Sequence, residues 1–307
     1  MSDFKFQTPV ILIIFNRPDT TKKVFAAIRQ AQPPKLLVIS DGFRPDRPGE
    51  FEKCTDTRAI IDQVDWKCEV LKNYSNHNLG CRNRISTGLN WAFEQVEEAI
   101  ILEDDCLPHP TFFRFCQEML EFYRHDTRIA SICGDNTPVG YRRTQDSYYF
   151  SLYNRCWGWA TWKRVWLNYD VDMKKWPLVR DNNWLYDILQ DDYAVNVWTN
   201  IFNSTYDKLN TSWAYQFTFS LWMQSLMNII PNVNIVSNIG FNESGTNTLN
   251  REDPRANVPT QAINFPIQHP PFIIRDTLAD AFTQKYVYNP YSLPKRIKNK
   301  LKKIFKA

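Results

Sequence analysis

Glu103, Asp104 and Asp105 stand in a row directly behind the apolar run Ala99-Ile100-Ile101-Leu102, and no other stretch gathers so much potential chemistry. A short apolar run of this kind reads as a buried strand of an α/β sheet. Ligand sites in open α/β sheets lie just outside the carboxyl ends of the strands. Side chains alternate along a strand, so Glu103 and Asp105 are expected to share one face and Asp104 to take the other. Three adjacent carboxylates repel one another and lose solvation, a cost that a divalent cation offsets. Oxygen-only ligands suit Mg2+ or Mn2+, which keep waters and draw further ligands from substrate phosphates. The alternative is an acidic cap on the helix expected over residues 111–123.

The elements that would position these acids can be read from the preceding hundred residues. Residues 8–15 form a buried-strand run closed by Asn16-Arg17-Pro18-Asp19, and Thr20 or Thr21 can cap a helix running to about Gln30. Pro33-Pro34 ends that helix, residues 35–40 give a second strand, and Asp41-Gly42 closes it. This β-α-β unit implies a parallel sheet with a right-handed crossover. A helix over 52–64, a strand over 68–73, the turn Asn78-Leu79-Gly80 and a helix over 83–96 then lead into the acids. Strand ends at Phe15-Asn16, Asp41 and Glu103 to Asp105 should therefore share one sheet edge. No Walker loop, GxGxxG, HExxH or GxSxG occurs, which counts against kinase, dehydrogenase, zinc-protease and α/β-hydrolase chemistry.

The bulk composition is that of a folded globular protein, with 11 Trp and an aromatic share of 15% in 307 residues. Aromatic faces pack cores, and they also hold flat apolar ligand faces such as those of sugars. The seven cysteines include no CxxC pair and are expected to be reduced thiols in a cytosolic protein. The N-terminus lacks the pattern of a secretory signal, and no apolar run reaches membrane-spanning length. The net charge of +4 conceals a basic end: residues 294–307 carry seven bases and no acid, leaving −3 for the rest. A mildly acidic body does not suit a nucleic-acid binder.

The order Pro-Val-Ile-Leu-Ile-Ile-Phe-Asn-Arg-Pro (9–18), Val-Ile-Ser-Asp-Gly (38–42), Asn-Leu-Gly (78–80) and Ile-Leu-Glu-Asp-Asp (101–105) resembles the nucleotide-sugar half of GT-A glycosyltransferases. In detail it is similar to family-2-like bacterial transferases and the N-acetylglucosaminyltransferase I group, over about residues 8–245. The resemblance implies a GT-A, Rossmann-like α/β fold: a mostly parallel sheet flanked by helices, in a single domain over 1–285. Residues 1–108 would be its nucleotide-sugar half and 109–285 its acceptor half, with a basic amphipathic tail over 286–307. It implies that Phe15, Asn16 and Arg17 line the base, that Asp41 meets the base or ribose, and that Gly80 and Arg84 border base and diphosphate. Glu103 and Asp104 would face the nucleotide-sugar, with Asp104 close to the chemistry, and Asp105 would hold Mn2+ or Mg2+.

On the acceptor side the same resemblance points to Asp135, Trp157, Trp159, Trp213 and Glu243. Gly158 between two indoles lets backbone approach a ligand, whereas Trp162 and Trp166, at helical spacing, read as packing. Residues 176–203 read as a helical insertion, and 211–228 as an aromatic helix opening with Trp213-Ala214-Tyr215-Gln216. Relatives carry Asp where Ala214 stands, and that Asp is the base of an inverting displacement. Alanine cannot take a proton. Three explanations are open: position 214 has been replaced, another acid (Asp207, Asp192 or Glu243) serves, or the chain is a binding-competent but inactive relative. The relatives' His-containing closing loop has no His here, in 243–248.

In the tail, Ile297, Leu301, Ile304 and Phe305 share one helical face among lysines, the pattern of an interfacial helix on an anionic membrane. The expected function is metal-dependent transfer of a sugar from a nucleoside-diphosphate sugar donor to a glycan acceptor hydroxyl. The acceptor could be lipid-linked, as in bacterial surface polysaccharide assembly at the inner face of the cell membrane, with no nucleic-acid partner. A non-catalytic sugar-binding relative and a nucleotidyltransferase are the alternatives. The latter usually carries a Gly-rich loop after its first strand, which Phe15-Asn16-Arg17-Pro18 is not.

Overall fold

The computed structural model describes residues 4–136, 144–241 and 255–288. Its strands are β1 (Val10–Ile14), β2 (Lys35–Ser40), β3 (Glu69–Tyr74), β4 (Glu98–Glu103), β5 (Cys106–Pro108), β6 (Ile129–Cys133), β7 (Tyr148–Ser151), β8 (Trp159–Trp162), β9 (Met227–Pro231) and β10 (Val236–Asn238). The helices are α1 (Pro18–Ala31), α2 (Glu50–Ala59), α3 (Gly80–Gln95), α4 (Thr111–Phe122), α5 (Lys163–Trp166), α6 (Trp176–Asp181), α7 (Trp184–Leu189), α8 (Asp192–Tyr206), α9 (Ala214–Met223) and α10 (Thr277–Tyr286). Glu243 and the basic tail beyond Tyr288 lie outside the described residues.

Eight strands form one mixed sheet in the order β3-β2-β1-β4-β8-β6-β9-β7. β3, β2, β1 and β4 run parallel, as do β6 and β9, while β8 runs antiparallel between β4 and β6. Strands covered by helices on both faces are continuously apolar, and Val10 to Ile14 and Ala99 to Leu102 are all buried. This is the α/β class with a mostly parallel sheet that the chain's pattern predicts. β5 and β10 pair separately, with Asn238 opposite Cys106, which lays residues 236–240 beside the acidic turn.

Several boundaries differ from the sequence reading, each for a local reason. α1 begins at Pro18, with no side-chain cap, and both the amide and the hydroxyl of Thr21 donate to the Arg17 carbonyl. Pro at a first helical position gives up only an amide that would lack a partner anyway. The helical stretch expected over 176–203 is three helices, because Asn183 (φ 55°) and Gln190 (φ 51°) take the left-handed conformation that stops a helix. The aromatic helix stops at Met223 rather than near Asn228, since Ser225 (φ 53°) turns the chain into β9. Trp162 and Trp166 do not share a helix: Trp162 ends β8 and Trp166 ends α5, and both are buried. No helix among the described residues is long and apolar enough to cross a membrane.

Candidate active site

The carboxyl ends of β1, β2 and β4 open into a pocket of about 350 Å3 whose lining includes Phe15, Arg17, Asp41, Glu103, Asp104 and Asp105. The far wall is Cys156, Trp157, Ser212, Trp213 and Ala214. A larger hollow, about 760 Å3, lies at the opposite end of the sheet beside Pro9, Lys35 and Glu98. Its charges answer one another, Lys35 with Glu69 at 3.0 Å and Arg124 with Glu98 at 2.9 Å. Ligands of open α/β sheets bind at the other end, outside the carboxyl ends of the strands.

The three acids do not split between two faces. β4 pairs in register with β1 only as far as Glu103, and Asp104 and Asp105 form a turn before β5. Strand alternation therefore ends at Glu103, and all three carboxylates line the same pocket. Arg17 answers them. Its Nη1 donates to Asp105 Oδ2 at 2.6 Å and lies 3.6 Å from Asp104 Oδ1, with all three side chains about one-tenth exposed. The Phe15 amide donates to Asp104 Oδ2 at 3.1 Å, so β1 holds the acid that follows β4. Burial would lower the Arg17 pKa, but Asp104 and Asp105 outweigh it and hold the guanidinium charged. Burial and mutual repulsion push Glu103 well above the carboxylate range, with Arg17 opposing; burial, repelled further by Asp105 and opposed by Arg17, does the same to Asp104. One guanidinium does not neutralise three acids.

Raised proton affinities show that the cluster resists carrying all three charges, and a divalent cation would relieve that repulsion as protons do. Among the described residues no three His, Cys, Asp or Glu side chains are already gathered into a metal cage. Mg2+ is commonly bound by one or two carboxylates and completed by diphosphate and water, and such an ion would need no fuller cage. Gly240 packs against the acid expected to carry it: a Cβ on Gly240 would stand 2.1 Å from Asp105 Oδ2.

Not every residue expected at the ligand reaches it. Asn16 turns away, its amide donating to Glu50 Oε1 at 2.9 Å, and it does not line the pocket. Asp41 does line it, but its carboxylate accepts from the amides of Gly42, Leu79 and Gly80 and from Asn78 Nδ2. These bonds make Asp41 the clasp that holds the loop before α3 rather than an open acceptor. Arg84 lines the pocket too, but it is buried and its guanidinium donates to the Ser40 carbonyl and to Asn73, so it also braces β2 and β3. Trp159 is 1% exposed and stacks on Trp213 at 5.6 Å, which makes it core rather than a sugar platform. Gly158 (φ 66°) does need to be glycine, since a Cβ would strike Val236. Trp157, half-buried, remains at the pocket, edge-on to Phe241 at 5.6 Å.

Arg44 and the thiols were not foreseen. The Arg44 guanidinium lies 5.5 Å from the Phe15 ring centre and is tethered by Glu50, which gives the pocket mouth a cation beside an aromatic face. A single Arg in a Pro-rich loop carries no sequence signal for that placement. Cys81 and Cys156 line the pocket, but burial pushes Cys81 up to about 12 and Cys156 well above its ordinary value. Both are protonated near neutral pH and are poor nucleophiles.

Cys156, Trp157, Ser212 and Ala214 also line a second, adjoining cavity of about 170 Å3. Asp135 and Arg155 line it, paired at 3.3 Å and each less than one-tenth exposed. Of the acids that could replace a base at 214, Asp192 and Asp207 line neither cavity.

No protein-family profile matches the chain, and no curated protein matches it. Solved structures do. A mannosyltransferase from Pyrobaculum calidifontis, solved in complex with GDP-Man and Mn2+, is 14% identical over 52% of this chain and 46% of that one, with TM-score 0.37. The chain thus spans under half the length of that protein. Mouse xyloside xylosyltransferase 1 is 10% identical over 72% of this chain and 83% of that one, with TM-score 0.36. The inositol-1-phosphate CTP transferase from T. maritima is 10% identical over 53% of this chain and 74% of that one, with TM-score 0.32. The chain's likeness to known proteins is therefore to transferases of sugars and of nucleotides, at low identity.

Proposed function

We propose that the protein transfers a sugar from a nucleoside-diphosphate sugar to a hydroxyl of a glycan, with inversion. The observation that carries the reading is the pair of cavities meeting at one wall. The larger combines an aromatic face, guanidinium groups and an acid cluster at strand carboxyl ends, which suits a base, a diphosphate and its counter-ion. The smaller, reached past Trp157 and Ala214, suits an acceptor. Phe15 and Arg44 would hold the base, and Arg17 would pair with diphosphate oxygens. Trp157 would carry the transferred sugar on its face. Asp105, with Glu103 and Asp104 beside it, would hold Mn2+ or Mg2+, which when bound would neutralise charge on the leaving diphosphate. Asp41, Arg84 and Gly80 would act by fixing the loop that shapes the pocket floor.

The basic sequence of 294–307 supports a location at the inner face of an anionic membrane, with a lipid-linked glycan as acceptor, for a cytoplasmic enzyme of surface polysaccharide assembly. A second reading, a non-catalytic nucleotide-sugar binder, is favoured by Ala214 alone. The test is a thermal-shift screen of nucleoside-diphosphate sugars with and without Mn2+. Ligands that bind only the folded state raise the melting temperature. A metal-dependent rise with one donor is the expected result, and no rise with any donor would overturn the reading.

A further inference from the structure

The wall between the cavities carries Ala214, so a proton-accepting group must come from elsewhere if the site is to activate a hydroxyl. Each acid in the larger pocket is already engaged. Asp41 accepts from three backbone amides, Asp104 from the Phe15 amide, and Asp105 from Arg17. Glu103 is held within the cluster of Asp104, Asp105 and Arg17 and is hydrogen-bonded by the Trp213 side chain.

In the smaller cavity the one acid among the described lining residues is Asp135. It follows β6, and the next residue is fixed by the Asn136 amide donating to Asn234 Oδ1 at 2.9 Å. Its two oxygens differ. Oδ2 accepts from Arg155 Nη1 at 3.3 Å, while Oδ1 is buried and has no hydrogen-bond partner among the described residues. A buried carboxylate oxygen without a donor is costly, and natural folds keep few of them. Asp135 is 3% exposed, so bulk water does not supply the missing donor. Burial also raises its proton affinity, opposed by Arg155 and by the backbone amides of Asp135 and Trp157 that face the carboxylate.

We propose that Asp135 is the base of the transfer, its Oδ1 receiving the acceptor hydroxyl in the smaller cavity. This rests on the donor reading above. The acceptor oxygen forms its bond to the anomeric carbon as that carbon's bond to the diphosphate oxygen breaks. The hydroxyl proton passes to Asp135 Oδ1, and the nucleoside diphosphate departs with the bonding pair. Arg155 holds the carboxylate in its rotamer from the far side. With Asp135 as base the site is competent without a carboxylate at position 214.

The experiment measures two things separately on the full chain with Mn2+: the donor-induced melting shift, and nucleoside diphosphate released from the bound donor by transfer to water or to simple methyl glycosides at high concentration. The unaltered protein should release product. Asp135→Asn should keep its donor-induced shift and lose release by about 10²–10⁴-fold, the usual cost of a missing base. If Asp135→Asn loses the donor shift as well, Asp135→Asn with Ala214→Asp decides: recovery of release supports the proposal, and continued inactivity overturns it. Release by Asp135→Asn within threefold of the unaltered protein would overturn it, as would a protein that binds donor yet releases nothing. Absence of any donor shift in the unaltered protein marks failure of the donor reading itself, and this inference falls with it.

Discussion

Replacing Arg17 with Met removes the positive charge from the acid cluster while keeping much of the side chain's bulk. Arg17 is 2.6 Å from Asp105 and 3.6 Å from Asp104, and all three side chains are about one-tenth exposed. Breaking a buried pair from one side costs about 3–5 kcal/mol, because the remaining charges lose their partner. In a chain of this size each kcal/mol moves the melting temperature by about 2 °C, so at pH 8 the variant should melt roughly 6–10 °C lower. The pH dependence has a definite sign. Glu103 and Asp104 titrate in the fold at about 8 and about 7, against 4.5 and 3.8 as ordinary carboxyls. Groups raised in this way contribute stability that is fully present below their unfolded pKa and is lost as pH rises through the folded one. Removing Arg17 raises both further. The gap between variant and parent should therefore be widest near pH 8 and should narrow steadily toward pH 5. Thermal melts of both proteins from pH 5 to 8, without added metal, test this. A variant melting within about 2 °C of the parent at pH 8, or a gap constant across the series, would refute the idea that Arg17 neutralises buried carboxylates.

Gly240→Ala places a methyl 2.1 Å from Asp105 Oδ2, so the acid must move; overpacking of this kind costs about 1–3 kcal/mol. If that cost falls on the bound state, metal-dependent donor affinity should fall about 5- to 150-fold, since 1.4 kcal/mol is a factor of ten, and calorimetry showing unchanged affinity would contradict the placement of Asp105. Trp159→Ala and Trp157→Ala separate packing from ligand contact. Trp159 is 1% exposed, so its loss should destabilise by about 3–5 kcal/mol in denaturant melts. Trp157 lines both cavities, so its loss should weaken donor binding with a smaller change in stability; the reverse pattern would exchange their roles.

The parallel half of the sheet was legible because its signals are local and redundant. β2 is found at residues 35–40, as expected, since Pro33-Pro34 on one side and Asp41-Gly42 on the other leave little freedom in register. The boundaries that shifted are those set by backbone conformation without a glycine or proline to announce it: Asn183, Gln190 and Ser225 each take positive φ as ordinary residues. The site divides in the same way. Which strand ends meet follows from topology, and the sequence places Phe15, Asp41 and the acids together. What each side chain does there depends on partners far along the chain. Asp41 looked like an open carboxylate until the amides of Leu79 and Gly80 closed on it. Asn16 is claimed by Glu50, 34 residues later. Trp157 and Trp159, two residues apart across Gly158, differ because Trp159 enters β8 and its indole is swallowed by Trp213 and Phe217. Asp135 reverses the pattern. No spacing singles it out as a base, and only the fold shows that Arg155 satisfies one of its oxygens, that the other is buried, and that the residue lines a cavity. Residue type and order locate a pocket at the carboxyl ends of the strands, but which acid can take a proton is decided by the hydrogen bonds the fold has already assigned.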